Sequence, residues 1–495
     1  MTADPREVEL KFRVPREASE ALLASFDRKP DQEVLESTYF DTGECALRKA
    51  GLTLRVRREG GRWLQTVKTS RASGGVLGRG EWEAATKGEG PDLDHARRTP
   101  AKRVLAKDCS LAPKFTVVVD RRTVPMDTSL GSISCSLDRG QVCVDGRSQS
   151  FDELELELER GEPAALFDLA GDLARRFPIA LSFTTKPDRG FGLLAEDKDL
   201  AFKFEPPALT RSMTAGGAFR AISRACLEQI ARNGEVICRQ RDAEAVHQMR
   251  VGARRLRAML KTFRSIVEDD RLEAVDADLK WLGAELDPAR NLDVFIDGAW
   301  RRAAENCPGM ATNEAQARLE AAREGAYARA RTAAGSDKLR ALLLDTMIWI
   351  ESGAWTRADA RAAEDRDSPV VDYGGKALDR ARRKLMKKGK GLDDLPPEDR
   401  HHARIRAKEL RYAADVLAPL FKAHPKRAKR FVSILKDLLD DLGDLNDIAT
   451  AAKLAGDYPP ADELLAGEAR REAKLLTKAC GRFAELKSAR PFWGR

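Results

Sequence analysis

The sequence predicts an antiparallel α+β region up to about residue 200, followed by an all-helical region. Two observations predict this division. Short segments that alternate polar and apolar residues dominate the first region, whereas stretches rich in Ala, Leu, Arg and Glu with helical periodicity fill the second from about residue 213. The segment FEPPALTRSMTAGG lies between them and is typical of a linker. We therefore expect domains at residues 1–200 and 218–490, joined by a linker at 201–217.

Alternating segments predict the strands of the first region. They are EVELKFRV, LTLRVRR, WLQTVKT, GEWEA, KFTVVVDRRTV, SISCSLDRGQVCVDG and DELELELERG. Two amphipathic stretches, PREASEALLASF and PAALFDLAGDLARRF, predict helices between them. Glycine-bearing turns separate several of the strands, which favours an antiparallel sheet closed into a barrel.

The cysteines and the apolar segments indicate the compartment. The eight cysteines form no CxxC pair, which is typical of reduced thiols. A turn at residues 138–140 would bring Cys135 and Cys143 together across a hairpin, but two small buried residues are the better interpretation in a reducing compartment. No apolar stretch approaches the ~18 residues of a membrane span, and no signal peptide pattern is present, so we expect a cytoplasmic location without membrane attachment.

An internal repeat lies in the helical region. HQMRVGARRLR, from His247, and HHARIRAKELR, from His401, share the order of one histidine and several cations, and LDPARNLDV and LGDLNDIAT follow roughly 45 residues later. This duplication predicts two similar helical bundles, at about 218–350 and 370–490, related by a pseudo-twofold axis.

The charge is unevenly distributed between the two regions. The net charge is +8, but residues 1–200 carry 32 Lys and Arg against 34 Asp and Glu, so the remaining residues carry an excess of ten positive charges. A basic helical region predicts an anionic partner. Aromatic residues do not interleave with the basic helix positions, so a phosphate chain fits better than nucleic acid, which we do not expect as a partner.

Charged residues two positions apart recur on the predicted strands. DELELELERG aligns several carboxylates on one face without a cation between them, and these like charges repel. Mg²⁺ or Mn²⁺ would remove that penalty because hard cations prefer carboxylate oxygens, while Arg and Lys bind phosphate oxygens. The hypothesis is a metal-bound polyphosphate inside a closed barrel; for any single strand, a charged face exposed to water is the alternative.

Seven motifs occur in the order found in a known family. They are EVELK, YFDT, GLTLRVRR, Lys68, RGEWE, ELELE and TKPDRGF. In these motifs the first region resembles the CYTH, or triphosphate tunnel metalloenzyme, family. The resemblance implies an eight-stranded antiparallel tunnel that binds a triphosphate together with a divalent metal, Mg²⁺ or Mn²⁺.

The same resemblance implies the roles of individual residues. It implies metal ligands at Glu7, Glu9, Glu153, Glu155 and Glu157. Glu155 and Glu157 are favoured over Glu153, although the sequence leaves the direct ligand open. Triphosphate-binding cations are implied at Lys11, Arg55, Arg57, Lys68, Arg79, Lys186 and Arg189, with Arg121 as an addition. The predicted catalytic residues are Glu7, Glu9, Lys11, Lys68, Glu81 and Glu83.

The helical region resembles the CHAD, or conserved-histidine α-helical, family. The resemblance implies two four-helix bundles whose basic helices line a common groove that binds inorganic polyphosphate. The residues implied are His247, Arg250, Arg254, Arg257, Lys261, Lys280, His401, Arg404, Lys408, Arg411 and Lys436. For either helix alone a solvated basic face is the alternative, and Asn446 in the position of Arg290 departs from strict symmetry. A zinc site is disfavoured because the neighbouring cations would repel the metal.

Together the two resemblances predict an inorganic triphosphatase. It would hydrolyse tripolyphosphate to pyrophosphate and phosphate in the tunnel, bind polyphosphate through its helices, and reside in the cytoplasm or on polyphosphate granules. Two alternatives stay open: a tunnel enzyme for thiamine triphosphate or nucleoside triphosphates, and a non-catalytic polyphosphate-binding or granule-associated protein.

Overall fold

The structure is a computed structural model that describes residues 6–69, 77–106, 109–195, 201–306, 313–357, 360–455 and 468–494. Glu7 and Arg79 lie in described strands, but their side chains fall outside the description. The chain divides into two units, and each is described by itself. The first comprises residues 1–200 with 340–352, and the second comprises residues 201–339 with 353–495.

The sheet of the first unit closes on itself. Its strands are β1 (Arg6–Arg13), β2 (Asp31–Asp41), β3 (Leu52–Glu59), β4 (Arg62–Thr69), β5 (Leu77–Thr86), β6 (Ala112–Thr128), β7 (Gly131–Val144), β8 (Arg147–Gly161) and the short β9 (Ala180–Leu181). The order β5-β4-β3-β2-β6-β7-β8-β1 is completed by pairing of β1 with β5, and every pairing is antiparallel. This closure confirms the predicted eight-stranded antiparallel barrel.

Strand β2 is absent from the alternating segments of the sequence. Its first four residues are all exposed, and Val34 is 69% exposed, so no apolar face marks the start of the strand. Alternation is clear only from Leu35 to Tyr39, whose odd-numbered side chains are buried. The strand forms nevertheless because it pairs along its whole length with β6.

The hairpin considered at residues 138–140 is wrong. Strand β7 continues through this segment and pairs with β6 on one side and β8 on the other, so Cys135 and Cys143 lie in one strand. Gly140 serves packing rather than a turn, because a Cβ atom there would lie 2.3 Å from the ring of Phe151 on β8. Cys135 is buried and Cys143 is half-buried.

Five α-helices and one short 3₁₀ helix (Pro100–Arg103) accompany the strands among the described residues of the first 200 positions. The α-helices are α1 (Arg16–Ala24), α2 (Ala46–Lys49), α3 (Leu93–Ala96), α4 (Ala164–Arg176) and α5 (Lys186–Leu194). The sequence predicts α1 and α4 correctly. Helix α5 follows a capping box in which Thr185 and Asp188 bond each other's backbone amides. It packs against β6, β7 and β8, with the ring of Phe191 edge-on to Phe115 at 5.1 Å.

The rest of the described chain is helical, as predicted. Its helices are α6 (Ala215–Arg239), α7 (Ala243–Thr262), α8 (Arg264–Val267), α9 (Leu272–Phe295), α10 (Arg301–Asn306), α11 (Asn313–Ala334), α12 (Asp337–Ser352), α13 (Ala360–Asp367), α14 (Val370–Lys388), α15 (Pro397–Leu417), α16 (Pro425–Ala455) and α17 (Glu468–Ser488). In the part of the chain with assigned structure, no helix is both long and apolar enough for a membrane span.

The helix packing of the second unit follows the sequence repeat. Helix α6 packs on α7, α7 on α9, α9 on α11, and α11 back on α6. In the second copy α14 packs on α15, α15 on α16, and α16 on α17. The copies meet through equivalent helices, since α6 contacts α14, α7 contacts α15, and α9 contacts α16. This pairing agrees with the predicted pseudo-twofold duplication.

The segment assigned to the linker is held against the second unit. The Asn233 side chain accepts a hydrogen bond from the Phe202 amide at 3.0 Å and donates one to the Phe202 carbonyl at 2.8 Å. The Arg255 guanidinium lies 3.8 Å from the centre of the Phe204 ring. Helix α6 begins at Ala215, so the last three linker positions form its first turn.

Candidate functional site

Two neighbouring arginines of β6 identify the interior of the barrel. Arg122 contacts Glu20 of α1 at 3.1 Å, whereas Arg121 reaches past β7 to the Glu155 carboxylate of β8 at 2.5 Å. Adjacent residues of a strand point to opposite faces, and a contact that skips a strand requires the concave side. The face that carries Arg121 and Glu155 is therefore the inside of the barrel.

Glu155 is the centre of an interior ion cluster. Its carboxylate contacts the Nζ of Lys11, the guanidinium of Arg121 at 2.5 Å and the Nζ of Lys186 at 2.8 Å. Burial raises the pKa of the Glu155 carboxyl, but the charges of Lys11, Lys186 and Arg121 outweigh this effect and hold the pKa well below its ordinary value. Three of the predicted phosphate-binding cations thus converge on one predicted metal ligand.

Asp138 of β7 joins this cluster, and the sequence does not predict it. It accepts two hydrogen bonds from Arg121, Nε to Oδ1 at 2.7 Å and Nη2 to Oδ2 at 2.6 Å, and one from Lys186 at 2.6 Å. Its side chain is fully buried. The alternation of small polar residues at Ser134, Ser136 and Asp138 is the signal that identifies an interior polar face here.

Glu153 and Arg189 form a buried pair beside this cluster, and the Lys186 Nζ lies 3.8 Å from the second Glu153 oxygen. The Arg189 guanidinium donates to one Glu153 oxygen from Nη2 at 2.6 Å and from Nε at 3.2 Å, and both side chains are buried. Arg189 comes from α5, so this ion pair ties the helix to β8. Of the three predicted glutamates on β8, Glu153 is the one bound to a buried arginine.

A second group of charged residues lies on β3, β4 and β5. The Lys68 Nζ contacts Glu81 at 2.9 Å, and the nearest nitrogen of Arg55 is 4.0 Å from the same carboxylate. Glu83 is exposed and accepts a hydrogen bond from the Thr66 hydroxyl at 3.4 Å. Glu81 is thus the member of this pair that lies beside predicted phosphate ligands.

Three further predicted residues, Arg57, Glu7 and Arg79, lie in the same sheet. Arg57 of β3 pairs with Glu59 at 2.5 Å. The backbone of Glu7 on β1 is directly opposite that of Arg79 on β5, in the pairing that closes the barrel.

The residues on β1 and β8 can be tested against the metal that the resemblance implies. Among the residues whose side chains are described, no three His, Cys, Asp or Glu residues form a group that could hold a metal ion. Glu9 is buried and stands opposite Glu157 in the β1–β8 register, and Glu7 precedes Glu9 by two positions in the same strand. Carboxylate oxygens are the donors that Mg²⁺ and Mn²⁺ prefer, so Glu9, Glu157 and Glu7 fit such an ion in kind.

The repeated basic helices of the second unit line a cavity of about 870 Å³. Six of the predicted residues line it, namely His247, Arg250 and Arg254 from α7 and His401, Arg404 and Lys408 from α15. Arg290, His402 and Lys453 also line it, although the sequence assigns none of them to the site. For Arg290 the available signal was its position in the first copy of the repeated LDPARNLDV motif.

Five predicted residues lie outside the cavity lining. Arg257 pairs with Asp276 at 2.8 Å, Lys261 with Glu409 at 2.8 Å, and Arg411 with Asp415 at 2.6 Å. Lys280 and Lys436 are exposed and absent from the lining.

Positive charge is incompletely compensated in the cavity. Six Lys and Arg side chains line it, against the carboxylates of Asp287, Glu398 and Asp447. Asp287 pairs with Arg250 and lies 3.8 Å from Arg254, while the buried Nε of Arg404 has no hydrogen-bond partner among the described residues. Such a site favours an anion, because an anionic ligand can satisfy cations that the protein leaves unpaired.

The two histidines differ in their surroundings. The Nδ1 of His401 is hydrogen-bonded to the Asn446 side-chain oxygen at 2.7 Å, as expected if this nitrogen carries the proton. Burial, followed by the charge of Arg290, lowers the pKa of His247 to about 4. The first repeat has Arg290 where the second has Asn446, and this difference makes the two halves of the cavity chemically unequal.

Comparison with known proteins places two families on this chain. Residues 5–190 match the CYTH domain, and residues 221–456 match the CHAD domain. An inorganic triphosphatase of Haemophilus influenzae is 26% identical over 198 residues, which cover 38% of this chain and 54% of that protein. The chain thus spans about half the length of this relative.

Two solved structures are similar to parts of this chain, with TM-scores below 0.5. The crystal structure of the CHAD domain from the plant Ricinus communis is 26% identical and covers 60% of this chain and 96% of that chain, with a TM-score of 0.46. HpAC1 from Hippeastrum, for which a dominant triphosphatase activity is reported, is 18% identical and covers 38% of this chain and 95% of that chain, with a TM-score of 0.29.

Proposed function

Because this chain carries a CYTH domain over residues 5–190 followed by a CHAD domain over residues 221–456, we propose that its barrel hydrolyses inorganic tripolyphosphate to pyrophosphate and phosphate. The convergence of Lys11, Arg121 and Lys186 on Glu155 is the observation that carries the proposal. These cations come from β1, β6 and α5, so they surround one interior point. The relative from Haemophilus influenzae, an inorganic triphosphatase, supports the same reaction.

The interior cations suit a chain of phosphates better than a single carboxylate. Arg121 and Lys186 are each held by Asp138, which leaves further donor hydrogens of both groups directed at Glu155. Phosphate oxygens would accept bonds from these donors in the same way. Lys68 and Arg55 on the β3–β4 wall would hold the other end of the substrate.

The metal ligands would come from β1 and β8. Glu9 and Glu157, with Glu7, would hold Mg²⁺ or Mn²⁺, which neutralises charge on the phosphate oxygens when bound. Glu155 lies between these metal-binding glutamates and the phosphate-binding cations, because its carboxylate contacts Lys11, Arg121 and Lys186. Glu153 would instead hold Arg189 in place, because one of its oxygens accepts two hydrogen bonds from this buried guanidinium.

The chain's own groups would stabilise phosphoanhydride cleavage mainly through charge and position. Lys11, Arg121 and Lys186 hold the transferred phosphate and the leaving pyrophosphate while negative charge moves between them. Glu81 would orient the attacking water, because it lies beside Lys68 and Arg55, whereas Glu83 is exposed. Both glutamates remain predictions of the sequence.

We further propose that the cavity between the helix repeats binds inorganic polyphosphate. Its support is the excess of cations over carboxylates in the lining and the buried Nε of Arg404, which has no hydrogen-bond partner within the described parts of the chain. A linear polyanion can contact cations of α7 and α15 at once, because both basic rows face the same space. A cytoplasmic location on polyphosphate granules is the setting that such binding predicts.

A substrate panel tests the proposed activity. Phosphate release from tripolyphosphate, thiamine triphosphate, ATP and long-chain polyphosphate is measured for the full chain with Mg²⁺ and with Mn²⁺. We expect tripolyphosphate to have the highest kcat/KM and EDTA to abolish turnover. If thiamine triphosphate or ATP has the highest kcat/KM, the barrel is still a triphosphate-hydrolysing enzyme, but tripolyphosphate is not its preferred substrate.

A further inference from the structure

Lys408 occupies an unusual place in the cavity of the second unit. It lines the cavity from α15 and is only partly exposed, and no carboxylate lies within ion-pair distance of it in the described chain. The cations Arg250 and Arg254 face it from α7, and Arg404 precedes it by one turn on α15. Burial among like charges is the arrangement that disfavours an ammonium ion.

The charged groups on the neighbouring helices α16 and α9 compensate the clustered cations only in part. On α16, the Asp447 carboxylate stabilises the Lys408 cation, but Arg404 also acts on Asp447. On α9, Asp287 is engaged by Arg250, and Arg290 adds another positive charge to the lining. The cavity therefore holds more cations than its own carboxylates can balance.

The lysine is the group able to relieve this excess near neutral pH. Burial, followed by the charges of Arg404, Arg254 and Arg250, lowers the pKa of Lys408 to about 6. The same surroundings lower the pKa of Arg250 to about 10, which leaves that guanidinium charged at neutral pH. Near neutral pH, release of one proton from Lys408 therefore has a lower free-energy cost in the empty cavity than keeping a fourth cation beside Arg250, Arg254 and Arg404.

We propose that Lys408 couples polyphosphate binding to proton uptake: it is a neutral amine in the empty cavity and becomes an ammonium ion when phosphates enter. The proposal rests on the proposed polyphosphate binding. The step is a simple protonation, in which the Nζ lone pair takes one proton from the solvent and no other bond changes. The phosphate charges then supply the counterions that the protein lacks.

The sign of the resulting pH dependence follows from linkage. Because the complex holds one more proton than the free protein and the ligand, the association constant falls as pH rises above the pKa of the free amine, by up to about tenfold per pH unit for one proton. Below that pKa Lys408 is already charged, and its contribution no longer changes. Above about pH 8 His247 contributes little, since its ordinary value is near 6.5.

Calorimetry on the full chain tests the proposal. Long-chain sodium polyphosphate is titrated, with EDTA present, near pH 8 in two buffers of different ionisation enthalpy, which gives the protons taken up per bound chain. We expect close to one more proton for the wild type than for Lys408→Arg, whose side chain is always charged. Taking this difference cancels the protons exchanged by the polyphosphate ends. Lys429→Arg, at an exposed lysine of α16 that does not line the cavity, is the matched control and should behave as wild type.

The outcomes separate the two proposals. If polyphosphate does not bind at any pH, the proposed function of the helical unit is wrong. If it binds but Lys408→Arg takes up as many protons as the wild type, binding stands and the proton coupling is overturned. Lys408→Gln provides a second variant: it should also lose the extra proton, and it should bind more weakly than wild type near pH 6, with a difference that shrinks as pH rises above about 7.

Discussion

Arg121 and Asp138 form a two-point ion pair inside the barrel, with Nε–Oδ1 at 2.7 Å and Nη2–Oδ2 at 2.6 Å. The pair connects adjacent strands and fixes the guanidinium plane. Lys186 contacts the same carboxylate from α5 at 2.6 Å. One buried aspartate therefore orients two of the cations proposed to bind triphosphate.

Replacement of this aspartate should impair catalysis more than folding. Asp138→Asn retains the side-chain shape but removes the charge that holds Arg121 and Lys186, so we expect kcat/KM for tripolyphosphate to fall by about 10- to 100-fold. Asp152→Asn is the matched control, because Asp152 pairs with Arg139 at 2.9 Å on the outer face of the barrel. Steady-state kinetics of both variants, with circular dichroism of each, measure the effect. Equal losses in the two variants would contradict a positioning role for Asp138.

The position of helix α5 should be sensitive to one glycine. A Cβ atom at Gly190 would lie 2.4 Å from the ring of Phe115, so Gly190→Ala must displace either the ring or the helix. Because α5 carries Lys186 and Arg189, we expect kcat/KM for tripolyphosphate to decrease at least about tenfold, with faster hydrogen exchange in α5. Gly171→Ala in α4 is the control, since its nearest neighbouring atom would be 3.6 Å away. Unchanged kinetics in Gly190→Ala would show that the helix can shift without moving its cations.

Acid should weaken the barrel through Glu155. The pKa of this carboxyl is held well below its ordinary value by Lys11, Lys186 and Arg121 against the opposing effect of burial. The folded state therefore binds fewer protons than the unfolded state, so the stabilisation is complete above the ordinary value near 4.3 and is lost as pH falls below it. Hydrogen exchange of β8 should accelerate more between about pH 6 and about pH 3.5 in the wild type than in Glu155→Gln, after correction for intrinsic exchange. The same acceleration in both proteins would contradict this assignment.

The cavity should bind polyphosphate through only some of the basic residues that the repeat aligns. Arg254→Gln with Arg404→Gln removes two lining cations, and we expect about 10- to 100-fold weaker binding and a salt dependence reduced by about two charges. Arg257→Gln with Arg411→Gln is the matched pair on the same helices, where both arginines already have carboxylate partners. Binding measured over a salt series should change less than about threefold in this second pair. A larger loss of affinity in the second pair would show that polyphosphate binds along the whole basic faces of both helices.

The repeat predicted which helix faces are basic but not how far along each helix the cavity extends. Periodicity places Arg257 and Lys261 in line with His247, and it carries no information about the helices opposite. Asp276 and Glu409, which pair with these two cations, are distant in sequence and become neighbours only through helix packing. The extent of the site therefore depends on tertiary contacts.

The barrel was predictable because strand alternation is a local property. Its centre was less so, since Asp138 lies in an Asp-Arg-Gly sequence that resembles a turn. The glycine there accommodates Phe151 of the next strand, which is a nonlocal requirement. Glu155 was predicted from its motif, whereas its three cation partners come together only when β1, β6 and α5 fold around β8.

Orthophosphate release from tripolyphosphate by the full chain, with Mg²⁺ or Mn²⁺, tests the central claim most directly when wild type is compared with Glu9→Gln. Glu9 is buried on the interior face of β1, and Glu20→Gln on α1 provides an exposed control outside the barrel. We predict metal-dependent turnover in the wild type and in Glu20→Gln, and a loss of at least about 100-fold in Glu9→Gln. Absence of phosphate release from the wild type under either metal would contradict the enzymatic account and favour a non-catalytic polyphosphate-binding protein, and full activity in Glu9→Gln would contradict the proposed metal ligands.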